Sequence, residues 1–295
     1  MRVLISGASG FIGTELVRQL ETGGHIVSRL VRSTPKAPGE FLWSPSEHTI
    51  DPRAMENIDA VINLSGASTG RLPWTSAYRR EILYSRVNAT TTIAEAMGRS
   101  ATPPGILLNG SAVGFYGDRP GVRLDESAAK GSGFLSDVVE AWEQAAHLAP
   151  SITRVVTFRT GVVVGSGGAF TPLTLLTRLG LGARLGSGQQ NWPWVALADE
   201  AAAIRHLLSS RLEGVVNIAG PVPATAAETT HALAGALGRW DPWVVPEFAI
   251  RALGEAGRAL LLSSQDVVPR ALLDDGFVFQ YETIEKAVGT LGAST

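Results

Sequence analysis

Seven residues near the start of the chain, Gly7-Ala8-Ser9-Gly10-Phe11-Ile12-Gly13, follow an apolar run, Arg2 to Ser6, and open a helical one, Phe11 to Thr22. Glycines at such a junction permit a tight turn. They let backbone approach a pyrophosphate, whose charge meets the N–H groups and positive dipole end of the helix. The spacing is G-x-x-G-x-x-G, one residue away from the commoner G-x-G-x-x-G. A glycine turn that merely joins strand to helix is the plain alternative, and the place directly after the first strand favours dinucleotide binding, with Gly7, Ser9, Gly10, Phe11, Ile12 and Gly13 as contacts. The end of the second strand decides which dinucleotide. An NAD site sets an acid there, about 20 residues on, to accept from the ribose 2′-hydroxyl. Ile26-Val27-Ser28-Arg29-Leu30-Val31-Arg32-Ser33 holds no acid, and Arg32 stands at its carboxyl end. A guanidinium suits a 2′-phosphate by charge and by its forked donors, so NADP(H) is the expected cofactor. A solvated strand-end arginine is the alternative.

These groups need a sheet to carry them, and β-branched runs alternate with segments of helical period through the first two thirds of the chain. Strands are predicted at Arg2–Ser6, His25–Arg32, Phe41–Trp43, Ala60–Leu64, Ile106–Asn109, Arg154–Arg159, Trp194–Leu197 and Val215–Ile218. Helices are predicted at Phe11–Thr22, Thr75–Met97, Phe134–Leu148 and Asp199–Ser209. This is the pattern of an α/β fold, a doubly wound parallel sheet of the Rossmann kind, with a smaller, interleaved, mainly helical C-terminal lobe. The expected division is a dinucleotide-binding part over 1–171, to which the elements near 194–220 return, and a substrate lobe made of 172–193 and 221–295.

Composition narrows the function classes. The 295 residues carry 27 Asp+Glu against 25 Lys+Arg, and this balance invites neither nucleic acid nor an anionic membrane. With no Cys, thiolate nucleophiles, disulfides and iron–sulfur clusters are excluded, and the five scattered histidines lack metal-ligand spacing. No metal is expected. The first residues lack a signal peptide's charged start and long apolar run, and no stretch approaches about 18 uninterrupted apolar residues, so a cytoplasmic protein is expected, monomeric or homodimeric.

With the glycine loop, Asn63-Leu64-Ser65-Gly66 and Ser111-Ala112-Val113-Gly114-Phe115-Tyr116-Gly117, the chain resembles the extended short-chain dehydrogenase/reductases, the NAD-dependent epimerase/dehydratase superfamily. More narrowly, it resembles an epimerase-like subfamily with a C-terminal domain of unknown function, sometimes labelled a cell-division inhibitor. Trp74 with Ser85-Arg86, Phe158-Arg159-Thr160-Gly161-Val162-Val163, Gly186-Ser187-Gly188-Gln189 with Pro193-Trp194, and the stretch from Leu260 to Phe277 extend the likeness over essentially the whole chain. The resemblance implies a Rossmann fold, NADP binding, an unassigned substrate, and cofactor contacts from Leu64, Ser65, Gly66, Glu81 and Arg86.

The superfamily's Tyr-x-x-x-Lys pair is missing. There the ammonium lowers the tyrosine pKa and holds the nicotinamide ribose while the phenol moves the proton. Here the register falls on Phe134 and Val138, part of an apolar stripe with Trp142 and Ala145 that most simply packs on the sheet. Ser111 matches the superfamily serine or threonine that hydrogen-bonds a substrate oxygen, and Tyr116 lies in the same loop. These are the candidate catalytic residues, with a plain turn cap as the other reading of Ser111. Arg159, at a strand end beside the pocket, is a candidate anion clamp. The amides and indoles of Gln189 to Trp194 suit a planar polar ligand or a core between lobes, and Asp199 is expected to cap its helix. Two functions remain: an NADP(H)-dependent epimerase-like oxidoreductase on a small molecule, or a catalytically inactive NADP(H) sensor.

Overall fold

The computed structural model describes residues 1–292, so the last three residues of the expected C-terminal lobe, 293–295, lie outside the described residues. The chain begins in the middle of a sheet with β1 (Arg2–Ser6), whose Val3, Leu4 and Ile5 are fully buried. A strand covered on both faces has no reason to alternate in polarity, which is why it reads as a continuous apolar run. Helix α1 (Phe11–Thr22) returns the chain to β2 (Ile26–Val31), β3 (Glu40–Ser44) and a short β4 (Thr49–Ile50). The chain then crosses to the other side of β1 through β5 (Ala60–Asn63), α2 (Ser76–Arg99), β6 (Ile106–Ala112), a short β7 (Arg123–Leu124), α3 (Phe134–Ala146) and β8 (Arg154–Thr160).

Small elements follow: β9 (Val162–Val164), α4 (Phe170–Arg178), β10 (Ala183–Leu185), β11 (Asn191–Trp192) and β12 (Trp194–Ala196). Helix α5 (Leu197–Ser209) then leads into β13 (Gly214–Ile218). The central sheet has eight strands in the order β13-β8-β6-β5-β1-β2-β3-β4, all parallel except the antiparallel β3–β4 edge. Winding reverses between β1 and β5. A ligand crevice therefore opens at the carboxyl ends of these strands. Val3 and Ile5 face the layer of α1 and α5, built on Leu16, Leu20, Ile204 and Leu207, whereas Leu4 faces the layer that holds Ala89, Ile93 and Met97 of α2.

The remaining elements are β14 (Ala224–Thr225), α6 (Ala226–Ala236), β15 (Trp243–Val245), α7 (Glu247–Arg251), α8 (Gly254–Gly257), β16 (Asp266–Val267), α9 (Arg270–Asp274) and α10 (Ile284–Gly292). The C-terminal region is mainly helical, with β15 and β16 as strands that helical period alone does not announce. Two-stranded pairings stitch it to earlier chain, β10 with β15, β11 with β14 and β7 with β16, and β9 pairs with β12. Side chains that accept backbone N–H groups add to this. One Glu126 oxygen takes the N–H of both Asn217 and Ala271 at 3.1 Å, and Asn217 donates its Nδ2 to the Val268 carbonyl at 3.0 Å. No helix among the described residues is long and apolar enough to cross a membrane.

Asp199 departs from its expected role as a helix cap. It lies in the first turn of α5, whose N-cap is Ala196 without a side-chain cap bond. Its two oxygens instead accept the N–H groups of Gln280 (2.8 Å) and Tyr281 (2.9 Å), tying down the chain that leads to α10. Asp199→Ala leaves both N–H groups without their partner and is expected to cost about 1–2 kcal/mol, with Asp199→Asn intermediate because one acceptor survives. Urea unfolding followed by tryptophan fluorescence checks this, and an unchanged midpoint in the alanine variant refutes it.

Candidate cofactor loop and ligand cleft

The turn after β1 is built by backbone constraints. Gly7 has φ +75°, and a Cβ there would lie 2.9 Å from the carbonyl carbon and oxygen of Leu64, so only glycine permits the loop after β5 to approach. A Cβ on Gly13 would come 2.2 Å from the Gly7 carbonyl oxygen, which locks turn to helix. Gly10 is the N-cap of α1, its N–H donating to the Gly7 carbonyl at 2.9 Å, and no side chain caps the helix. The first N–H groups of α1 thus end at an open turn, as an anion site requires. Ser9 is exposed at its tip and Ile12 is half-buried. Phe11 lies under a second glycine cluster that the sequence analysis did not single out. A Cβ on Gly165, Gly167 or Gly168 would fall 2.6, 2.7 or 2.9 Å from its ring.

Arg32 is exposed just past β2, bordering a hollow with Ser44, Pro45 and Ser46, and it has no ion pair among the described residues. The turn after β5 is held by the Leu64 N–H on the Ser6 carbonyl (3.1 Å), the Ser65 N–H on Asn63 Oδ1 (3.2 Å) and the Ala67 N–H on Ser85 Oγ (2.9 Å). Asn63 itself is buried among Ser6, Thr90 and Asn109, and Trp142 donates its indole N–H to Thr90. Glu81 is exposed on α2.

The structure brings Ser111, Tyr116 and Arg159 together, facing inward. Glu143 of α3, which sequence reasoning passed over, is the centre. Ser111 Oγ donates to Glu143 Oε1 at 2.6 Å, and Arg159 donates bidentately from Nε and Nη2, both at 2.8 Å. Arg159 Nη1 reaches the Tyr116 hydroxyl at 3.0 Å, and that hydroxyl donates to Asn217 Oδ1 at 2.7 Å. The Phe115 ring lies 3.4 Å beneath the guanidinium. Burial alone would push the Arg159 pKa down, and the bonds from Glu143 and Tyr116 outweigh it, so the pKa stands above the usual arginine range. Burial pushes the Tyr116 phenol up. Ser111, Tyr116 and Arg159 therefore have their polar atoms committed to one another rather than to the cleft beside them. A glutamate one turn after Val139 and beside Trp142, on the mainly apolar face of α3, was the available clue.

That cleft, about 330 Å³, lies at the carboxyl ends of β6 and β8 and is lined by Arg86, Phe134, Val138, Thr160, Trp192 and Glu255, among others. Helix α3 starts at Phe134, as the register requires, and the stripe divides: Trp142 reaches the sheet at Gly110, while Val138 packs on Tyr78 and Ile82 of α2. Phe134 meets Trp74 edge-on at 5.5 Å. Lys130 pairs with Asp137 and Glu140. Of the amide and indole loop, Trp192 and Pro193 border the cleft. Gln190 donates to the carbonyls of Leu185 and Leu261, and Trp194 is buried with its indole N–H on the Val222 carbonyl. Arg86 donates Nη1 to the Ile82 carbonyl at 3.0 Å, and desolvation pushes its pKa down to about 10.

Residues 3–219 match the model of the NAD dependent epimerase/dehydratase family, and residues 245–291 match a domain of unknown function (DUF1731). The chain belongs to the NAD-dependent epimerase/dehydratase family. It is 38% identical over 291 residues to epimerase family protein Mb2239 of Mycobacterium bovis, covering 97% of this chain and 96% of that protein. The human epimerase family protein SDR39U1, crystallised with NADPH, superposes with a TM-score of 0.92 at 33% identity over 100% of both chains. UDP-glucose 4-epimerase from Thermus thermophilus, in complex with NAD, shares the fold at a TM-score of 0.76 and 21% identity, over 100% of both chains.

Two outcomes follow from the buried acids. Glu143→Ala leaves the Arg159 charge dry and unpaired, an expected loss of about 3–5 kcal/mol in unfolding free energy, with Glu143→Gln milder. A loss below about 1 kcal/mol by denaturant titration contradicts this account. Glu200, fully buried, accepts from Thr160 Oγ1 at 2.7 Å through one oxygen and has no partner on the other. Burial pushes its pKa from 4.5 up to about 8, so the folded chain holds a proton that the unfolded chain releases. The sign is set by that proton. Stability present below pH 4.5 declines as pH rises toward about 8, by roughly 1 kcal/mol per unit. Glu200→Gln flattens that slope, and equal slopes for the two proteins in pH-resolved unfolding rule the assignment out.

Proposed function

We propose that this protein binds NADP(H) and acts on a small molecule held in the adjoining cleft, as an epimerase-like oxidoreductase without the Tyr-x-x-x-Lys pair. The observation that carries it is the uncapped glycine turn into α1, with Arg32 and no acid at the end of β2. The donor set fits a dinucleotide: backbone N–H groups of Phe11, Ile12 and Gly13 for the pyrophosphate, Arg32 for the 2′-phosphate, and the turn from Leu64 to Gly66 alongside. The NADPH in human SDR39U1 supports the same choice. When bound, the nicotinamide supplies or accepts hydride. The chain's own part is to hold the dinucleotide, wall the cleft with Phe134, Val138 and Trp192, and fix the loop after β6 through Ser111 and Tyr116. Water or the substrate itself then carries the proton that a phenol at 134 would have moved.

One observation favours a second reading, an NADP(H) sensor without chemistry. The hydroxyls of Ser111 and Tyr116, the best remaining donors, are both engaged inside the protein. Screening carbonyl compounds and nucleotide sugars for a change at the nicotinamide absorbance band separates the two, since the sensor turns over none.

NADPH is expected to bind at least about tenfold tighter than NADH, with Arg32→Ala removing most of the difference. Gly10→Ala, whose Cβ would face the Gly7 carbonyl at 3.1 Å and the incoming phosphate, is expected to abolish binding with the fold intact. Titration by tryptophan fluorescence decides both. Equal affinity of the wild type for the two cofactors removes the 2′-phosphate assignment.

A further inference from the structure

The charged groups around the cleft other than Arg86 are paired, hydrogen-bonded or exposed to solvent. Glu255 accepts the Phe134 N–H at 3.2 Å and pairs with Arg79 at 2.7 Å, and Asp118 accepts the Ser264 N–H at 2.8 Å. Arg258 is exposed at the rim. Arg86 is partly withdrawn from solvent in the wall and forms no ion pair among the described residues. Of its five N–H donors, one meets a protein acceptor, the Ile82 carbonyl. The guanidinium is nevertheless held in place. It lies against Gly66, where a Cβ would come 3.1 Å from its Cζ, and over the Trp142 ring at 5.1 Å. A cation drawn partly out of water without a counter-charge is costly. Such groups mark places where a ligand brings the missing charge.

We propose that Arg86 is the cleft's receptor for an oxyanion, a carboxylate or phosphate group carried by the ligand, and that it provides from α2 the positive charge that α3 lacks at Val138. Val138 borders the same cleft and packs on the turn of α2 just before Arg86. The planar fork, backed by Trp142 and aligned by the missing side chain of Gly66, suits two parallel N–H···O bonds. The inference rests on reading this cleft as a ligand site, and it narrows the ligand to an acidic one. The oxyanion has two possible sources, a phosphate of the cofactor or an acidic group on a second molecule.

Inorganic phosphate serves as the probe. It is titrated calorimetrically at low ionic strength into the full chain, first alone and then with NADPH saturating, for wild type, Arg86→Gln and Arg86→Lys. Circular dichroism confirms that each variant is folded. Without NADPH, Arg86→Gln is expected to lose one phosphate or bind it at least about tenfold more weakly. Arg86→Lys keeps the charge but not the fork, weakens the ion several-fold, and carries the comparison if the glutamine variant does not fold. An Arg86-dependent phosphate that persists beside NADPH assigns the oxyanion to an acidic substrate, and one that NADPH displaces assigns it to the cofactor. Phosphate binding that is the same in wild type and both variants overturns the inference. Failure of NADPH to bind the wild type would instead count against the cofactor reading and leave the comparison without NADPH to decide Arg86.

Discussion

The ion pair between Glu143 and Arg159 is the constraint around which this half of the molecule is arranged. Two opposite charges removed from water are tolerable when geometry is bidentate and every remaining donor finds an acceptor. Ser111, Tyr116 and Asn217 complete that shell, and each comes from a different place: the end of β6, the loop beyond it, and β13. Asn217 passes the connection on to the Val268 carbonyl and, through Glu126, to Ala271. The strand ends that face the crevice are thereby fixed relative to α3 and to the C-terminal chain. The same arrangement explains why hydroxyls in the right loop for proton transfer are turned away from the cleft.

Besides its strand pairings and apolar contacts, the C-terminal region is positioned by backbone N–H groups bonded to single side chains. Asp199, Glu126 and Asp118 accept backbone N–H groups of residues 264 to 281, and Gln265 donates to the carbonyls of Val113 and Gly117 at 3.0 and 2.8 Å. Buried polar bonds of this kind are directional, so they specify one docking geometry where an apolar contact would allow sliding. The cleft wall made by α8 and its neighbours inherits that precision.

The sheet was legible because strands buried on both faces read as unbroken apolar runs, and because the first turn holds Gly7 at a positive φ that side-chain-bearing residues rarely adopt. The absent Tyr and Lys were legible for the opposite reason, since helical register can be counted. What escaped is non-local. Arg159 looked like a free clamp because its partner Glu143 lies on another element, and nothing in the spacing of the two announces a contact. Asp199 obeyed the local preference for a helix start but serves residues more than eighty positions away. The short strands β15 and β16 form only because partners in β10 and β7 exist to receive them.

Glu255 carries a consequence for synthesis. Helix α3 has Gly133 as its N-cap with no side chain capping it, and its first N–H is met by a carboxylate that lies 121 positions later in the chain. On a ribosome, the sheet and the body of α3 emerge well before that carboxylate does. The first turn of the helix that walls the cleft is completed only after Glu255 has appeared, so a ligand-ready pocket forms later in translation than the sheet beneath it.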